Sequence, residues 1–218
     1  MLNPARMKCI IMGIQGCGKG TQAKMLEDKY DMVHISIGDM FRWNIKHHTK
    51  LGSRIIRTIK AGELVTDEVV IALLRQRLNE HDWNYGFILD GFPRNQVQAE
   101  FLLETYDIDA VILIDVPDEV VIRRIVGRRH CPACGLDYNL EFNPPKVEGT
   151  CDGCGAALAQ RADDNETAIR KRLGDYHAET QPLVKVFDEQ GMLVVVNGAQ
   201  TPKEVQVEIR TKLGMPVD

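Results

Sequence analysis

The sequence has no apolar run long enough to form a membrane-spanning helix. Its longest uninterrupted apolar stretches, such as residues 111–114 and 193–196, are far shorter than the roughly 18 residues that a span requires. The first apolar run ends at Gly13 and leads into glycine-rich sequence, where a secretory signal would have small residues at a cleavage site. These absences predict a cytoplasmic protein with no membrane partner.

The sequence also lacks an excess of positive charge, and it has few aromatic residues. Lys and Arg total 27 against 31 Asp and Glu, a net charge of −4, and aromatic residues make up 6% of the chain. Nucleic-acid-binding surfaces need clustered basic residues, often with aromatic side chains among them, so we expect no nucleic acid partner. The 218 residues are 44% apolar, which excludes a disordered chain and allows one α/β domain with inserted lobes.

Short apolar runs alternate with helix-like segments along most of the chain. Helical patterns occupy residues 19–30, 39–46 and 51–61, another follows the N-cap candidate Thr66, and a capping box at Thr201 opens the last. Strands that alternate with helices predict a doubly wound parallel sheet. Its five strands are predicted at residues 8–12, 33–35, 86–90, 110–115 and 193–196.

A glycine-rich loop lies between the first predicted strand and the first predicted helix. Residues 13–21 read Gly-Ile-Gln-Gly-Cys-Gly-Lys-Gly-Thr and fit the spacing Gly-x4-Gly-Lys. Glycines let backbone N–H groups converge on an anion, while Lys19 adds a positive charge and the helix its N-terminal dipole. The loop predicts a nucleoside triphosphate site made by Gly16, Cys17, Gly18, Lys19, Gly20 and Thr21.

Magnesium ligands are predicted near the same loop. Gly20 occupies the position where a Ser or Thr usually follows the lysine, so a hydroxyl group must come from Thr21. Asp90 ends a neighbouring predicted strand. We expect Thr21 and Asp90 to hold Mg²⁺ mainly through water; the alternative for Asp90 is a cap on the following turn.

Arginines recur near the ends of the predicted elements. The turn Asp90-Gly-Phe-Pro-Arg94 lies at the carboxyl end of a strand, where open α/β sheets bind ligands. The planar guanidinium group suits phosphate oxygens, so arginines that converge on one cleft would stabilise a highly charged transition state. Each one alone could equally form a surface ion pair, and Asp163 and Asp164 could orient Arg161 or simply be solvated. The candidates are Arg42, Arg94, Arg124, Arg128, Arg161 and Arg172.

The cysteines fall into two groups. Four form two Cys-x-x-Cys pairs separated by 16 residues, a spacing typical of structural Zn²⁺ sites; a redox or disulfide pair is the alternative. Cys17 lies beside Lys19 at a helix N-terminus, which predicts a lowered thiol pKa and inhibition by alkylation, unless it is only a small residue that fills the loop. Cys9 is predicted to be a core residue. The metal ligands are Cys131, Cys134, Cys151 and Cys154.

Together these motifs resemble those of the adenylate kinase family, of the bacterial type with a long, zinc-bearing lid. The resemblance covers essentially the whole chain and is carried by residues 13–22, 35–42, 62–65, 86–94, 127–129 and 161–164. It implies a P-loop NTPase-type five-stranded parallel sheet flanked by helices, with inserted nucleoside-monophosphate-binding (NMP) and lid lobes. The core would comprise residues 1–35, 66–127 and 165–218, the NMP lobe 36–65, and the lid with its four-cysteine zinc site 128–164.

Matching motif positions imply a role for each candidate residue. Lys19 would contact the triphosphate of ATP, and Arg124 would stack on its adenine. The residues that bind AMP would be Ile37, Gly38, Arg42, Val65, Gly91, Arg94, Gln98, Arg161 and Arg172. Among these, Gln98 would read the adenine edge, and Arg42 and Arg94 would hold the phosphate. The residues that act on the transferred group would be Lys19, Arg94, Arg128, Arg161 and Arg172.

The implied activity is the reversible transfer of the terminal phosphoryl group of Mg·ATP to AMP, giving two ADP, by a monomer. The acceptor oxygen is already ionised at pH 7, so no general base is needed, and lid closure would exclude water. Two residues depart from the family pattern: Gln15 replaces a proline in the loop, and Ile37 replaces a threonine beside the acceptor base. Ile37 leaves the choice of base mainly to Gln98.

Two other functions stay open on the sequence alone. A kinase for UMP, CMP or GMP is favoured by Ile37 and Asn95 and disfavoured by Gln98 and the long cysteine segment. A zinc-ribbon nucleotide-binding module is disfavoured by the net charge of −4.

Overall fold

The computed structural model describes residues 3–161 and 164–217 and has a five-stranded parallel sheet at its centre. The strand order is β2-β3-β1-β4-β7, and each neighbouring pair is parallel. The predicted five-stranded α/β fold is thereby confirmed. The strands of this sheet are β1 (Lys8–Met12), β2 (Val33–Ser36), β3 (Phe87–Asp90), β4 (Ala110–Asp115) and β7 (Leu193–Asn197).

Helices cover both faces of the sheet. One core cluster packs α1, α6, α7 and α9 against one face, and a second packs α2, α3, α4, α5 and α8 against the other. Alternate residues of β1 enter the two clusters, Cys9 and Ile11 the first, Ile10 and Met12 the second, so this central strand is buried on both faces. The helices are α1 (Lys19–Tyr30), α2 (Ile37–Lys46), α3 (Lys50–Lys60), α4 (Asp67–Asn79), α5 (Gln96–Thr105), α6 (Asp118–Gly127), α7 (Glu166–Asp175), α8 (Leu183–Glu189) and α9 (Pro202–Lys212).

Side-chain caps explain where several helices begin. Ser36 accepts a hydrogen bond from the N–H of Asp39, so α2 begins at Ile37, two residues before the predicted start. The predicted capping box at Thr201 is present, with Pro202 in the first turn. Thr66 is the N-cap residue of α4 as predicted, but its side chain makes no capping hydrogen bond.

The segment between α6 and α7 forms a small structure of its own. Its strands β5 (Arg128–His130) and β6 (Asp137–Asn139) make an antiparallel pair that the sequence did not predict. Two similar turns follow Cys131 and Cys151, where the N–H of Gly135 and the N–H of Gly155 each donate to the cysteine carbonyl at 2.9 Å. A separate apolar cluster forms around Cys131, Tyr138 and Cys151. Within the described residues, none of the helices has the length and apolar character to span a bilayer.

Candidate active site

A cleft of about 590 Å³ lies at the carboxyl ends of the central strands. It is bounded by the glycine-rich loop, by residues of the 36–65 segment and by residues of the cysteine segment, residues 128–161. The last two also touch directly, since Lys46 Nζ donates to the carbonyl oxygen of Pro132 at 3.0 Å. The predicted site residues that line the cleft are Gly16, Cys17, Gly18, Lys19, Gly20, Thr21, Gly38, Arg42, Val65, Asp90, Gly91, Arg94, Arg124, Arg128, Arg161 and Arg172.

The glycine-rich loop has a backbone that requires glycine at three positions, Gly13, Gly16 and Gly18. Gly13 has φ 135°, and a Cβ atom there would lie 2.5 Å from the carbonyl oxygen of Ile114 on β4. Gly18 has φ 109° and is the N-cap residue of α1. Lys19 Nζ donates to the carbonyl oxygens of Gly13, at 2.6 Å, and Ile14, at 2.9 Å. The loop thus curls around the ammonium group at a helix N-terminus, an arrangement suited to polyphosphate.

Cys17 differs from its predicted chemistry. Its side chain is buried with 2% exposure, and burial raises the pKa of the thiol, against the smaller lowering effect of the Lys19 charge. The prediction of a lowered pKa is therefore wrong, because the side chain points into the core cluster that contains Ile14 and Val121. The alternative, a small residue that fills the loop, agrees with this burial. Cys9 is a core residue, as predicted.

Asp90 lines the cleft close to the start of α1. Burial raises the pKa of this carboxyl group, but the hydrogen bond from His34 and the charge of Lys19 outweigh that effect and leave the pKa lowered. The carboxylate is therefore ionised at neutral pH. Gly20 and Asp90 both face the open cleft, and a Cβ atom on Gly20 would be in ordinary contact with Asp90 Oδ2, at 3.5 Å. An ionised oxygen donor beside open space suits a hydrated Mg²⁺ ion.

The arginines in the cleft form a cluster of positive charge. Burial lowers the pKa of Arg161, and the nearby charges of Arg42 and Arg128 lower it further. Arg161 Nε is buried, and no atom of residues 3–161 and 164–217 accepts a hydrogen bond from it. A buried, unsatisfied donor among like charges indicates a binding site for an anion.

Three acids pair with these arginines. Arg161 donates to both carboxylate oxygens of Asp137, at 2.9 and 2.7 Å. Asp164, for which the sequence left open either a contact with Arg161 or solvation, forms a two-point ion pair with Arg128. Asp163, the other, lies outside the described residues. Arg42 pairs with Asp39 on the same helix.

The structure places two predicted AMP contacts away from the cleft. Ile37 is 2% exposed and packs in the core with Phe41, because it occupies the first turn of α2. Gln98 is also 2% exposed. Its Oε1 atom accepts from the N–H of Arg94 at 2.8 Å, and its Nε2 atom donates to Asp67 at 2.7 Å.

The four predicted metal ligands lie together within the cysteine segment. Their Sγ atoms all lie within 4.8 Å of one another, and Cys131–Cys154 and Cys134–Cys151 are 3.4 and 3.5 Å apart. All six cysteines of the chain are free, so these sulfur atoms are not joined in disulfides. Four thiol groups at this spacing could hold one metal ion, because tetrahedral Zn²⁺ with bonds of about 2.3 Å places its sulfur ligands about 3.8 Å apart.

Among the residues that line the cleft and that sequence reasoning missed, two groups come from single segments of the chain. One is the loop after β7, residues 198–202; its place at the carboxyl end of a parallel strand is the signal that could have found it. The other group belongs to the cysteine segment. No local pattern in the sequence indicates it, because these residues reach the cleft only through the fold of that segment. These residues are Asp137, Tyr138, Asn139, Phe142 and Asn143.

A glycine-rich loop with its lysine between β1 and α1, facing clustered arginines across a cleft, defines a P-loop phosphotransferase. Residues 11–192 match the family model described as adenylate kinase. The chain is 45% identical over 213 residues to an adenylate kinase of Clostridium botulinum strain Langeland, covering 95% of this chain and 99% of that protein. It is 45% identical to one of Clostridium novyi (91% and 94% covered) and 44% identical to one of Ruminiclostridium cellulolyticum (96% and 100% covered). The chain belongs to the adenylate kinase family.

Proposed function

We propose that this protein catalyses the reversible transfer of the terminal phosphoryl group of Mg·ATP to AMP, giving two ADP. The observation that carries the proposal is the convergence of Lys19 with Arg42, Arg128 and Arg161 on one cleft. A positively charged cleft open to two ligands suits a reaction that brings two polyanions together. The family membership supports adenine nucleotides as the substrates.

The donor ATP would bind at the glycine-rich loop. Backbone N–H groups of residues 16–21 would surround its phosphates, and Lys19, now bound to loop carbonyls, would contact the β- and γ-phosphates. Arg124 Nη1 donates to the carbonyl oxygen of Cys17 at 3.0 Å, which fixes the guanidinium group beside the loop, and we assign it to the donor adenine. Asp90 and Thr21 would hold a Mg²⁺ ion mainly through water, and the ion would supply positive charge that neutralises the phosphates.

The acceptor AMP would bind on the other side of the cleft. Arg42 and Arg94 would hold its phosphate, and Gly38, Val65 and Gly91 would approach it through their backbone. We still assign Gln98 to hydrogen bonds with the adenine edge. To make them, its side-chain amide would have to break its present hydrogen bonds with Arg94 and Asp67. The core position of Ile37 supports no direct contact with the base, so we place it in the wall behind the site.

In the transfer step, the arginines would act on the charge of the moving phosphoryl group. The acceptor oxygen of AMP is ionised, so the chain needs no general base. Arg128, Arg161 and Arg172 would contact the transferred group, and the buried Nε–H of Arg161, which has no acceptor among the described residues, supports this assignment. Holding donor and acceptor in line and excluding water would supply the remaining acceleration and prevent hydrolysis of ATP.

The domain assignment follows from these roles. We propose that residues 36–65 are the NMP lobe, residues 128–164 the lid, and the rest the core. The cysteine cluster would hold a structural Zn²⁺ with no place in the transfer step, because four sulfur ligands leave no open coordination position. We further propose a cytoplasmic monomer.

The test is a product analysis of the purified protein with Mg·ATP and, separately, AMP, GMP, UMP and CMP. We expect ADP from AMP at a rate at least tenfold above that of any other diphosphate. Similar turnover of UMP, CMP or GMP would favour the kinase for another monophosphate, which no feature of the described structure supports now that Ile37 lies in the core and Asn95 caps α5. Nucleotide binding without any transfer would instead favour the binding module.

A further inference from the structure

Phe142 is an exposed aromatic residue in an unusual place. Phe142 is 43% exposed. Among the described residues, it is the only large exposed apolar residue that lines the cleft. Its position in the wall of the cleft allows the ring to pack against a neighbouring side chain or a bound ligand.

The nearest charged partner of this ring is Arg124. The guanidinium carbon of Arg124 lies 5.2 Å from the centroid of the Phe142 ring, within the range of a cation–π contact. The same guanidinium group donates through Nη1 to the carbonyl oxygen of Cys17. Arg124 is therefore held between the glycine-rich loop and an aromatic ring of the cysteine segment.

Asn139 fixes the ring over the guanidinium group. Its Oδ1 atom accepts from the N–H groups of Glu141, at 3.0 Å, and Phe142, at 3.2 Å, which shapes the turn that carries the ring. Its Nδ2 atom donates to the carbonyl oxygen of Arg124 at 2.8 Å. One side chain thus ties the turn to the very residue that the ring contacts.

We propose that Phe142 is a positioning residue for the donor nucleotide, acting through Arg124. A guanidinium group has two faces, so a ring that packs on one face restricts the side chain and leaves the other for a nucleobase. Arg124 lies on α6 and Phe142 follows β6, so the fold of the intervening segment brings the two side chains together. The proposal rests on the assignment of Arg124 to the donor adenine.

The experiment is a double-mutant cycle on steady-state kinetics, with ATP and AMP varied in turn. Phe142→Ala should raise the KM for ATP about fivefold, the effect of losing one partly exposed cation–π contact, and change the KM for AMP less than twofold. Phe142→Tyr should restore the KM for ATP. Phe142→Leu, which keeps apolar volume without a ring, should not. Leu140→Ala removes a neighbouring exposed side chain outside the cleft and should match the parent protein.

The cycle separates failure of this inference from failure of the donor-site assignment. If Arg124→Ala leaves the KM for ATP unchanged, the assignment itself is wrong. If Arg124→Ala raises the KM for ATP but neither Phe142→Ala nor Phe142→Leu does, the positioning role of Phe142 is wrong and the donor-site assignment stands. The double variant should show no further loss beyond Arg124→Ala; additive losses would mean that Phe142 acts without Arg124. Should the alanine variant not fold, Phe142→Leu and Phe142→Tyr carry the test.

Discussion

His34 on β2 and Asp90 on the neighbouring β3 form a largely buried pair, with His34 Nε2 3.4 Å from Asp90 Oδ2. Burial lowers the pKa of the imidazole, but the hydrogen bond and negative charge of Asp90 outweigh this effect, so the pKa of His34 is raised. Asp39 and Glu27 also face His34 and raise it further. The imidazole is therefore charged to a higher pH than a free histidine and stabilises Asp90 as a carboxylate.

Replacing His34 with Gln should make stability less dependent on pH. Because the folded pKa lies above the unfolded value of about 6.5, the pair contributes its full stability below that pH and loses it as pH rises through the folded pKa. The difference in Tm between parent and His34→Gln should thus be larger at about pH 5.5 than at about pH 8.5. The pKa of His177 is also raised, but His177 is present in both proteins, so its contribution to the pH dependence cancels in the difference in Tm. An equal difference at both pH values would contradict the charged pair.

The sheet and the glycine-rich loop could be predicted because their signals are local. Three central strands, β1, β3 and β4, are largely continuous apolar runs, and the positive φ angles of the loop require glycine at fixed positions. The place of Ile37 could not be predicted, because it depends on the cap at Ser36, which shifts the helix start and turns the side chain to the core. The Arg161–Asp137 pair joins residues 24 apart through the folded cysteine segment, and no pattern in the sequence indicates it.

Removing the ammonium group of Lys19 should lower kcat strongly without unfolding the protein. Lys19→Met should lower kcat by about 10²- to 10³-fold, the usual cost of losing one preorganised group that stabilises transition-state charge. Lys24→Met is the matched control, because Lys24 is an exposed lysine on the same helix and does not line the cleft. The measurement is kcat at saturating substrates, with circular dichroism to check folding. A Lys19→Met variant with near-normal kcat would remove the loop from the transfer step.

Metal removal should destabilise the cysteine segment. We expect about one Zn²⁺ per chain by elemental analysis, and its removal by a chelator should lower Tm by roughly 4–8 °C, equivalent to about 2 kcal/mol in a domain of this size. Added Zn²⁺, but not Mg²⁺, should restore it, because four thiolates prefer the softer ion. Cys134→Ser should reproduce the loss. Metal-free protein of unchanged Tm would show that the cluster holds no structural ion.

Alkylation should leave Cys17 unmodified in the folded protein. Burial raises the pKa of Cys17 and raises that of Cys9 to about 12, so neither residue presents a thiolate near pH 7.5. Mass spectrometry after iodoacetamide treatment should find both residues unmodified in native protein and both modified after unfolding, with no effect of added ATP. Rapid modification of Cys17 but not Cys9, slowed by ATP, would mean that the loop opens to expose the thiol. Because Cys9 lies in the central strand, it reports global unfolding, and the comparison separates local opening of the loop from unfolding of the whole core.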